Sequence, residues 1–530
     1  MNTALNAERR AAELHALAGG EVVDVLVVGG GVTGTGVALD AVTRGLSVAL
    51  LEAHDLAFGT SRWSSKLVHG GLRYLAKGDV GLARESAVER GVLMTSTAPH
   101  LCRPLPQLLP LHASVSRRTA ALVLAGLNAG DVLRRVARTP SAVLPRPRTV
   151  SRPEALALVP GLRAGDLRGG LLSFDGQLVD DARLVVALAR TAAGFGARIL
   201  TRARVGAATG TGAEVTDLLT GDSFEVRARS VVNATGVWAG ELVDSVRLRP
   251  SLGSHLVLDG RTAGLTGTAL TVPVPGSFGR FALLLPQSDG RVYLGLTDEP
   301  FDGPIPDVPT VPQSDVDFLL AIASSVLERP VTEADVLGSY AGLRPLLDSG
   351  GASADLSRHH AVLHAPNGVI TVVGGKLTTY RKMAEDAVDA AMMYGNLPGG
   401  PCRTRQIPLV GAPAAATPPP NPRLSTTLRA SRLGPADAPA RLVARYGAEA
   451  PAVDALGRLD PALAQPVAPG LEVTAAEVIW AVRHEGALDA ADVLHRRTRI
   501  GLAPKDLAAA EATVTDLVAR SLAGLPTASN

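Results

Sequence analysis

Cysteine, net charge and long apolar runs are all scarce in this chain. Its two cysteines, Cys102 and Cys402, are too few for a disulfide framework, which indicates a reducing compartment. With 52 basic and 50 acidic residues, the net charge of +2 creates no overall field for a polyanion, so no nucleic-acid partner is expected. No secretory signal pattern is visible near the N-terminus. Together these absences predict a cytoplasmic location.

No apolar run reaches the roughly 18 residues that a membrane-spanning helix needs, so none is predicted. The longest apolar stretch beyond the first strand is TAALVLAGL at 119–127. We interpret it as a buried core helix, with a helix in the membrane interface as the alternative. The basic run HRRTR at 495–499 is interpreted as a helix face paired with acids, with a membrane or subunit contact as the alternative.

The length of 530 residues suits two or three domains. Residues 1–20 have the pattern of a short helical extension. A succession of strand, tight turn, helix and strand over 22–51 begins an α/β unit that we extend over 21–397.

Three further regions divide the rest of the chain. Within the α/β unit, 85–170 is interpreted as helices and Pro-rich loops, and about 250–345 as an inserted antiparallel sheet. A Pro-rich linker is predicted at 398–424. Residues 425–530 have helical periodicity and are predicted to form a separate helical domain.

The turn after the first strand carries a glycine fingerprint for a dinucleotide. In it, Gly29 permits a tight turn, Gly31 lets a pyrophosphate approach the backbone, and Gly34 lets the helix pack against the strand. The N-terminus of the following helix favours phosphate charge. Glu52, at the end of the second strand, can accept a hydrogen bond from a ribose hydroxyl.

Two later turns also stand between a strand and a helix. Ala234 and Gly236 offer small residues for the close approach of a dinucleotide. Gly375, Lys376, Leu377 and Thr378 form a second such turn, with backbone N–H groups directed at whatever lies before the helix. A reduced flavin carries negative charge on its pyrimidine side, which suits a helix N-terminus. Three such turns can surround one long cofactor, and this favours FAD over NAD.

With these motifs the chain resembles the FAD-dependent glycerol-3-phosphate dehydrogenases, which belong to the flavoprotein oxidoreductases that include D-amino-acid oxidase. The resemblance covers about 22–395, continues more weakly over 477–502, and rests on the runs GGGVTGTG, EAHD, TSRWSSKLVHGGLRYL, NATGVWA, GSH, GLRPL and GGKLTTYRK. It implies an α/β fold with a Rossmann-like FAD-binding domain, an inserted antiparallel β-sheet substrate domain and a C-terminal α-helical domain.

The resemblance also implies roles for individual residues. Catalysis is assigned to His255 and Arg344, and substrate binding to Arg73, Tyr74, Arg358 and Lys376. The cofactor loop is assigned to Thr60, Ser61, Ser64, Ser65, His69 and Gly70, with His69 equally explained as a residue that caps a turn. The family often has small residues where this chain has Arg62 and Trp63, so the contacts of these two side chains are not predicted.

The chemistry of these residues agrees with the implied substrate, sn-glycerol 3-phosphate. Arginine forks and a lysine suit a phosphate that carries nearly two negative charges. The reaction to dihydroxyacetone phosphate moves a hydride from substrate C2 to flavin N5, and a neutral histidine such as His255 can take the hydroxyl proton. Arg344 could polarise the oxygen that becomes the ketone. A purely structural role for His255 is the competing interpretation.

Other functions and several partners stay open at this stage. A related flavin enzyme acting on a 2-hydroxy acid or an amine is one alternative, and a non-catalytic dinucleotide-binding protein is another. The resemblance implies a quinone or similar electron acceptor and a peripheral position on the inner face of the cytoplasmic membrane. The oligomeric state is open, a homodimer included, and no metal site is predicted because the pair His359–His360 has no cysteine or acidic cluster beside it.

Overall fold

The computed structural model describes residues 2–71, 74–75, 78–277, 279–348, 359–413 and 438–524. Arg73 and Arg358, which the resemblance assigns to the substrate pocket, lie outside these residues, as does the second part of the predicted linker. The described part contains two β-sheets with flanking helices, followed by a C-terminal helical region.

The strands fall into two sheets, and helices separate the third strand from the fourth, the fourth from the fifth and the fifth from the sixth. Their bounds are β1 (Val22–Val28), β2 (Val48–Leu51), β3 (Leu67–Val68), β4 (Cys102–Pro110), β5 (Arg148–Val150), β6 (Gly170–Leu178), β7 (Arg198–Leu200), β8 (Ala203–Thr209), β9 (Gly212–Asp217), β10 (Ser223–Asn233), β11 (Ser251–Asp259), β12 (Ala269–Pro273), β13 (Phe281–Pro286), β14 (Arg291–Gly295), β15 (Glu299–Pro300), β16 (Val336–Arg344), β17 (His360–His364) and β18 (Ile370–Gly374).

The helices include long ones that cover the sheets and short ones that join loops. Their bounds are α1 (Ala7–Ala18), α2 (Val32–Thr43), α3 (Val80–Val92), α4 (Arg117–Val136), α5 (Arg152–Leu158), α6 (Asp181–Gly194), α7 (Ala239–Leu242), α8 (Gln313–Ser324), α9 (Tyr380–Gly395), α10 (Ala440–Tyr446), α11 (Ala450–Leu459), α12 (Ala475–His484), α13 (Ala490–Asp492) and α14 (Pro504–Ala523).

The first sheet has the order β17-β18-β10-β1-β2-β7, and its central strands β18, β10, β1, β2 and β7 are parallel neighbours. Both faces are covered, which explains why β1 is apolar apart from Asp24. Val25 and Val27 pack towards helices α2, α6 and α9, whereas Leu26 and Val28 pack towards the hairpin β8–β9. The predicted strand–turn–helix–strand unit over 22–51 is confirmed, and β8, β9 and β10 form an antiparallel extension of this sheet.

The second sheet is mostly antiparallel and follows the order β15-β11-β14-β13-β12-β4-β6-β3, with β16 on β11 and β5 on β6. Strand β11 lies between β14 and β16, where His255 pairs with Gly295 on one side and with Tyr340 on the other. Helix α8 packs over this sheet and completes a second apolar core.

The interpretation of 85–170 as helices and Pro-rich loops is wrong for β4 and β5, which belong to the second sheet. Prolines at 104 and 106 obscured β4, because proline removes a ladder hydrogen bond and is expected on strand edges. Pairing of β4 with β12 is restricted to Gln107 and Leu108, so the described structure gives both prolines a strand neighbour on the β6 side alone. The inserted sheet therefore draws strands from well before residue 250.

The stretch 119–127 is helical, but it is not the buried core helix that we predicted. It lies in α4, where Asp131 and Arg134 are the residues buried most deeply, while Leu122 and Val132 are 56% and 54% exposed. One side of α4 packs on an apolar cluster around Leu109, and the other faces solvent. Apolar composition alone could not show that the helix lies at an edge of the molecule.

Candidate active site

One large cavity of about 2010 Å³ lies between the two sheets. Typical small-molecule pockets measure about 300–1,000 Å³, so this cavity has room for a large cofactor and a substrate together. Its wall includes residues from the turns that follow β1, β10 and β18, from the loop 58–65, and from strands β11 and β16.

The turn after β1 is built from close backbone contacts. Gly29 has a φ of 109°, and a Cβ atom on it would lie 2.6 Å from the carbonyl oxygen of Ala234. A Cβ atom on Gly34 would lie 1.9 Å from the oxygen of Gly29, so Gly34 packs the helix against the turn and does not line the cavity. Gly31 is the N-cap of α2 and has no side chain to cap it, the N–H of Val32 donates to the Ser61 hydroxyl at 2.9 Å, and Gly31, Val32 and Thr33 line the cavity at this end of the helix.

Glu52 lies at the end of β2 and borders the same part of the cavity. Its carboxylate accepts hydrogen bonds from the backbone N–H of Gly30 at 2.6 Å and of His54 at 2.8 Å. Burial raises the pKa of Glu52, and these two donors oppose the shift. The side chain is thus fixed beside the glycine turn, where a ribose hydroxyl of a dinucleotide would be expected.

The other two predicted turns reach the same cavity. Asn233 holds the first of them, because its side-chain oxygen accepts from the hydroxyl of Thr235 at 2.7 Å and its amide donates to the oxygen of Ala239 at 3.0 Å. Ala234 and Gly236 line the wall beside it.

In the turn after β18, Gly375 has a φ of 67°, and the short helix that begins after Lys376 runs directly into α9. The backbone N–H of His69 donates to the hydroxyl of Thr378 at 3.3 Å, which joins two segments separated by 309 residues. Gly375, Lys376, Leu377 and Thr378 all line the cavity.

The hydroxyls of the loop 58–66 attach it to the second sheet and to helices α2 and α6. Ser61 accepts from the N–H of Val32 at 2.9 Å, and Thr60 donates to the oxygen of Leu343 at 2.7 Å. Ser64 is bonded to Asp181, and the hydroxyl of Ser65 lies 2.8 Å from Nε2 of His255. All four hydroxyl residues border the cavity.

His255 is buried in the middle of the second sheet, with its ring stacked on Tyr340 at a centroid distance of 4.7 Å. Gly295 makes room for it, because a Cβ atom there would lie 2.2 Å from the imidazole. Burial, and after it the charges of Lys66 and Arg344, hold the pKa of His255 well below its usual value. The ring is therefore neutral near pH 7.

The cations of the site are held by specific neighbours. Arg344 donates to Ser251 and Asp298, both at 3.1 Å, and to the oxygen of Thr297 at 3.1 Å. Lys376 contacts the hydroxyl of Ser86, and its ammonium lies 4.0 Å from the ring centroid of Tyr74. Arg344, Lys376 and Tyr74 all border the cavity.

Gly70 has a different environment from its neighbours and does not line the cavity. A Cβ atom on it would lie 2.5 Å from the guanidinium of Arg90, and its N–H donates to Asp175 at 3.2 Å. Asp175 itself lines the cavity and is paired with Arg90 at 2.6 Å. No motif indicated Asp175, because its neighbours in the site come from a helix about 85 residues earlier.

Arg62 and Trp63, which the sequence left unexplained, pack on each other. The guanidinium carbon of Arg62 lies 4.2 Å from the ring centroid of Trp63 and 5.1 Å from that of Phe58. Burial lowers the pKa of Arg62 to about 9. Trp63 also lies 5.7 Å from Tyr340, ring to ring, and borders the cavity.

Residues 24–381 match the family model described as FAD dependent oxidoreductase, and 402–524 match the C-terminal domain of alpha-glycerophosphate oxidase. Glycerol-3-phosphate dehydrogenase 1 of Mycobacterium tuberculosis is 54% identical over 98% of this chain and 99% of its own length.

The chain belongs to the FAD-dependent glycerol-3-phosphate dehydrogenase family.

A solved structure of the family supports the same conclusion for the fold. The glycerol-3-phosphate dehydrogenase from Bacillus halodurans complexed with FAD has a TM-score of 0.71 and 27% identity, over 98% of this chain and 93% of its own. The predicted fold class and FAD as the cofactor are confirmed. The three turns, the N-terminus of α2 and the carboxylate of Glu52 fit an extended dinucleotide along one wall of the cavity.

Two expectations about membranes can be compared with the structure. Within the described ranges, no helix is both long and apolar enough to cross a bilayer. The basic run 495–499 is not a membrane surface, because Arg496, Arg497 and Arg499 are buried and paired with acids. The interpretation that this run pairs with acids is confirmed. Not all of these acids lie on the same helix as the arginines, because some belong to the α/β unit.

Proposed function

We propose that the chain oxidises sn-glycerol 3-phosphate to dihydroxyacetone phosphate, with His255 accepting the proton of the C2 hydroxyl. The observation that carries this proposal is the convergence of His255, Arg344 and Lys376 on a cavity whose other wall has the features of a dinucleotide site. When bound beside these residues, FAD would supply the acceptor for the C2 hydride, and a second acceptor would take the two electrons from it.

The substrate phosphate is proposed to bind among cations. Lys376 and Arg344 border the cavity, and the resemblance adds Arg73 and Arg358 to the set. Guanidinium groups bind phosphate oxygens in pairs, and an ammonium adds a point charge. Tyr74 lies beside Lys376 and can position it through its ring. This density of positive charge favours a phosphate ester over an amine substrate.

The oxygen on C2 is proposed to lie between His255 and Arg344. The neutral imidazole can take the hydroxyl proton, because its depressed pKa leaves a nitrogen lone pair available near pH 7. The guanidinium of Arg344 can stabilise negative charge that develops on the same oxygen. Its bonds to Ser251 and Thr297 fix its orientation before the substrate arrives.

A quinone is the proposed second acceptor, and the inner face of the cytoplasmic membrane is the proposed location. One end of the cavity is apolar and is formed partly by α4. The same helix exposes Leu122 and carries exposed Arg117 and Arg118 at its start, a combination that suits an anionic lipid surface. The homodimer stays a prediction without a described contact to support it.

The activity is tested with the purified flavoprotein and a dye as electron acceptor. We expect turnover of glycerol 3-phosphate, and little of glycerol, lactate or 2-hydroxyglutarate. Arg344→Ala should lower kcat/KM about 100- to 1,000-fold while flavin stays bound, because one preorganised charge donor is lost. Arg261→Ala, on a side chain that is 93% exposed, is the control and should match the parent. Turnover of lactate without glycerol 3-phosphate, or an Arg344→Ala variant with full kcat/KM, would contradict the proposal.

A further inference from the structure

The turn 62–66, which brings Ser65 to His255, is held from behind by a buried lysine. Lys66 has a φ of 59°, and its ammonium donates to the oxygens of Arg62 at 2.9 Å and Ser64 at 2.8 Å. The same ammonium lies 3.0 Å from Oδ2 of Asp181. Lys66 thus closes the turn on itself and joins it to the first residue of α6.

Asp181 is the residue through which the turn 62–66 is attached to α6. Its Oδ2 also accepts from the backbone N–H of Ser64 at 3.0 Å and from the Ser64 hydroxyl at 2.7 Å. The phenol of Tyr340 donates to the oxygen of Ser64 at 3.1 Å, on the ring that stacks against His255. Ser65 is therefore fixed from both sides, and its hydroxyl lies 2.8 Å from Nε2 of His255.

The other oxygen of Asp181 is bonded to the C-terminal domain. Arg499 donates to Oδ1 of Asp181, 318 residues away in the chain, and lies 3.5 Å from Oδ1 of Asp180. It is buried and has a φ of 67°, and its Nε and Nη2 have no hydrogen-bond partner among the described residues. Its fixed interactions are thus concentrated on these two aspartates.

Two neighbouring arginines fix the segment that carries Arg499. Arg497 donates to both oxygens of Asp55, at 2.9 Å each, and Arg496 donates to Oδ2 of Asp55 at 2.6 Å. Asp55 lies just before the loop 58–66 in the chain. The segment 496–499 therefore has little freedom to move relative to the turn, and Arg499 keeps a fixed position beside Asp181.

This arrangement carries more backbone strain and buried charge than a contact that serves folding alone would need. Left-handed backbone is strained in a residue other than glycine, and it occurs at both Lys66 and Arg499. Apolar residues of similar volume often stabilise an interface as well as buried ion pairs do. Strained, buried charges that meet beside a reacting group are better explained by the geometry they impose.

We propose that the C-terminal domain is part of the catalytic apparatus: Arg499 fixes Asp181, Asp181 fixes the turn 62–66, and that turn holds Ser65 against His255. Arg499, Asp181 and Lys66 are then positioning residues that act through Ser65 on the proton acceptor. The inference rests on the proposed function, since it gives His255 the role described above.

The test compares two buried arginines that both join the α/β unit to the C-terminal domain. Arg499→Gln removes the contact to Asp181, whereas Arg190→Gln removes a two-fold contact to Glu449, at 2.6 and 2.8 Å, that does not reach the turn. Each variant is measured for flavin content, thermal stability, substrate KM and the stopped-flow rate of flavin reduction by glycerol 3-phosphate without an acceptor. Substrate deuterated at C2 gives the isotope effect on that rate.

We expect Arg499→Gln to reduce flavin about 10- to 100-fold more slowly, with KM and flavin content retained and a changed isotope effect. Arg499→Lys should recover part of the rate, and Arg190→Gln should keep the parent rate even if its stability falls. Ser65→Ala leaves the interface between the domains intact and should slow flavin reduction as Arg499→Gln does. This variant tests the inference if Arg499→Gln does not fold.

Three results would overturn the inference. If Arg499→Gln or Ser65→Ala reduces flavin at the parent rate, the turn does not act on His255. Equal losses in Arg499→Gln and Arg190→Gln would show that the interface serves folding alone. Absence of glycerol 3-phosphate oxidation by the parent protein would overturn the proposed function as well, so the two failures are distinguished by the parent assay.

Discussion

The cavity and the interface between the domains both gather positive charge, but they neutralise it differently. By the interdomain interface we mean Arg183, Arg496, Arg497 and Arg499 with their carboxylates Asp55, Asp181 and Glu485. There the guanidinium groups meet buried carboxylates, as in the pair of Arg183 with Glu485 at 2.6 Å. In the cavity, Lys376 contacts a hydroxyl and an aromatic ring, and Arg344 contacts neutral oxygens besides one aspartate.

This difference shows how one residue type can serve two purposes. Charges that buried carboxylates saturate hold the two parts of the chain together, whereas Arg344 and Lys376 border the cavity, where an anionic ligand can reach them. The cavity wall also includes exposed residues of α4 such as Leu122, while the carboxylates of the interface are buried. Variants in each region should therefore fail in different ways.

The largest effect is expected in the backbone wall of the cavity. Gly31→Val should abolish flavin binding, because the new side chain would occupy the approach to the start of α2, with its Cβ about 3.1 Å from the Ser61 hydroxyl. The purified protein should lack the yellow absorbance of flavin. Gly165→Val is the matched control, since no atom lies within 4 Å of a Cβ placed there. A variant at Gly31 that retains full flavin would show that this wall tolerates side chains after all.

A change in the interdomain interface should reduce stability rather than cofactor binding. Glu485→Gln removes the charge that faces buried Arg183, which typically costs about 3–5 kcal/mol in the free energy of unfolding. Chemical denaturation at pH 7 measures the loss. Glu472→Gln, on an exposed side chain of the same domain, should stay within about 0.5 kcal/mol of the parent.

The same pair predicts a dependence on pH. Burial alone would raise the pKa of Glu485, but Arg183 outweighs it and lowers the pKa to about 2. The contribution of Glu485 to stability is thus present above its unfolded pKa and is lost as the pH falls towards 2. The Glu485→Gln variant should lose less stability than the parent on acidification, and equal losses would exclude this pair as a source of acid sensitivity.

The smallest effect is expected at the open side of the cavity. Leu122→Ser should weaken sedimentation with anionic vesicles about five-fold, since roughly 1 kcal/mol of apolar transfer is lost from a side chain that is 56% exposed. Leu459→Ser, at an 84% exposed position in the C-terminal domain, should bind vesicles as the parent does. If the parent protein itself does not sediment with vesicles at low salt, the proposed peripheral membrane location is wrong.

Local patterns determined a large part of the architecture. The strand–turn–helix unit at 22–51 and the strand–turn–helix at 369–392 follow from apolar runs interrupted by glycine, and both are present. The residues predicted in these turns line the cavity as expected, apart from Gly34. Such features are predictable because backbone conformation and the periodicity of burial are properties of short segments.

Tertiary structure decided everything that depends on which distant residues meet. Strand β4 was hidden by its prolines, whose cost depends on the neighbour that pairs with them, and the exposure of α4 depends on where its helix lies. The sequence showed three arginines in the run 495–499 but could not show that Arg499 meets Asp181, because an ion pair across 318 residues leaves no spacing to recognise. A charged residue takes its role from the group that neutralises it, and that group is chosen by the fold.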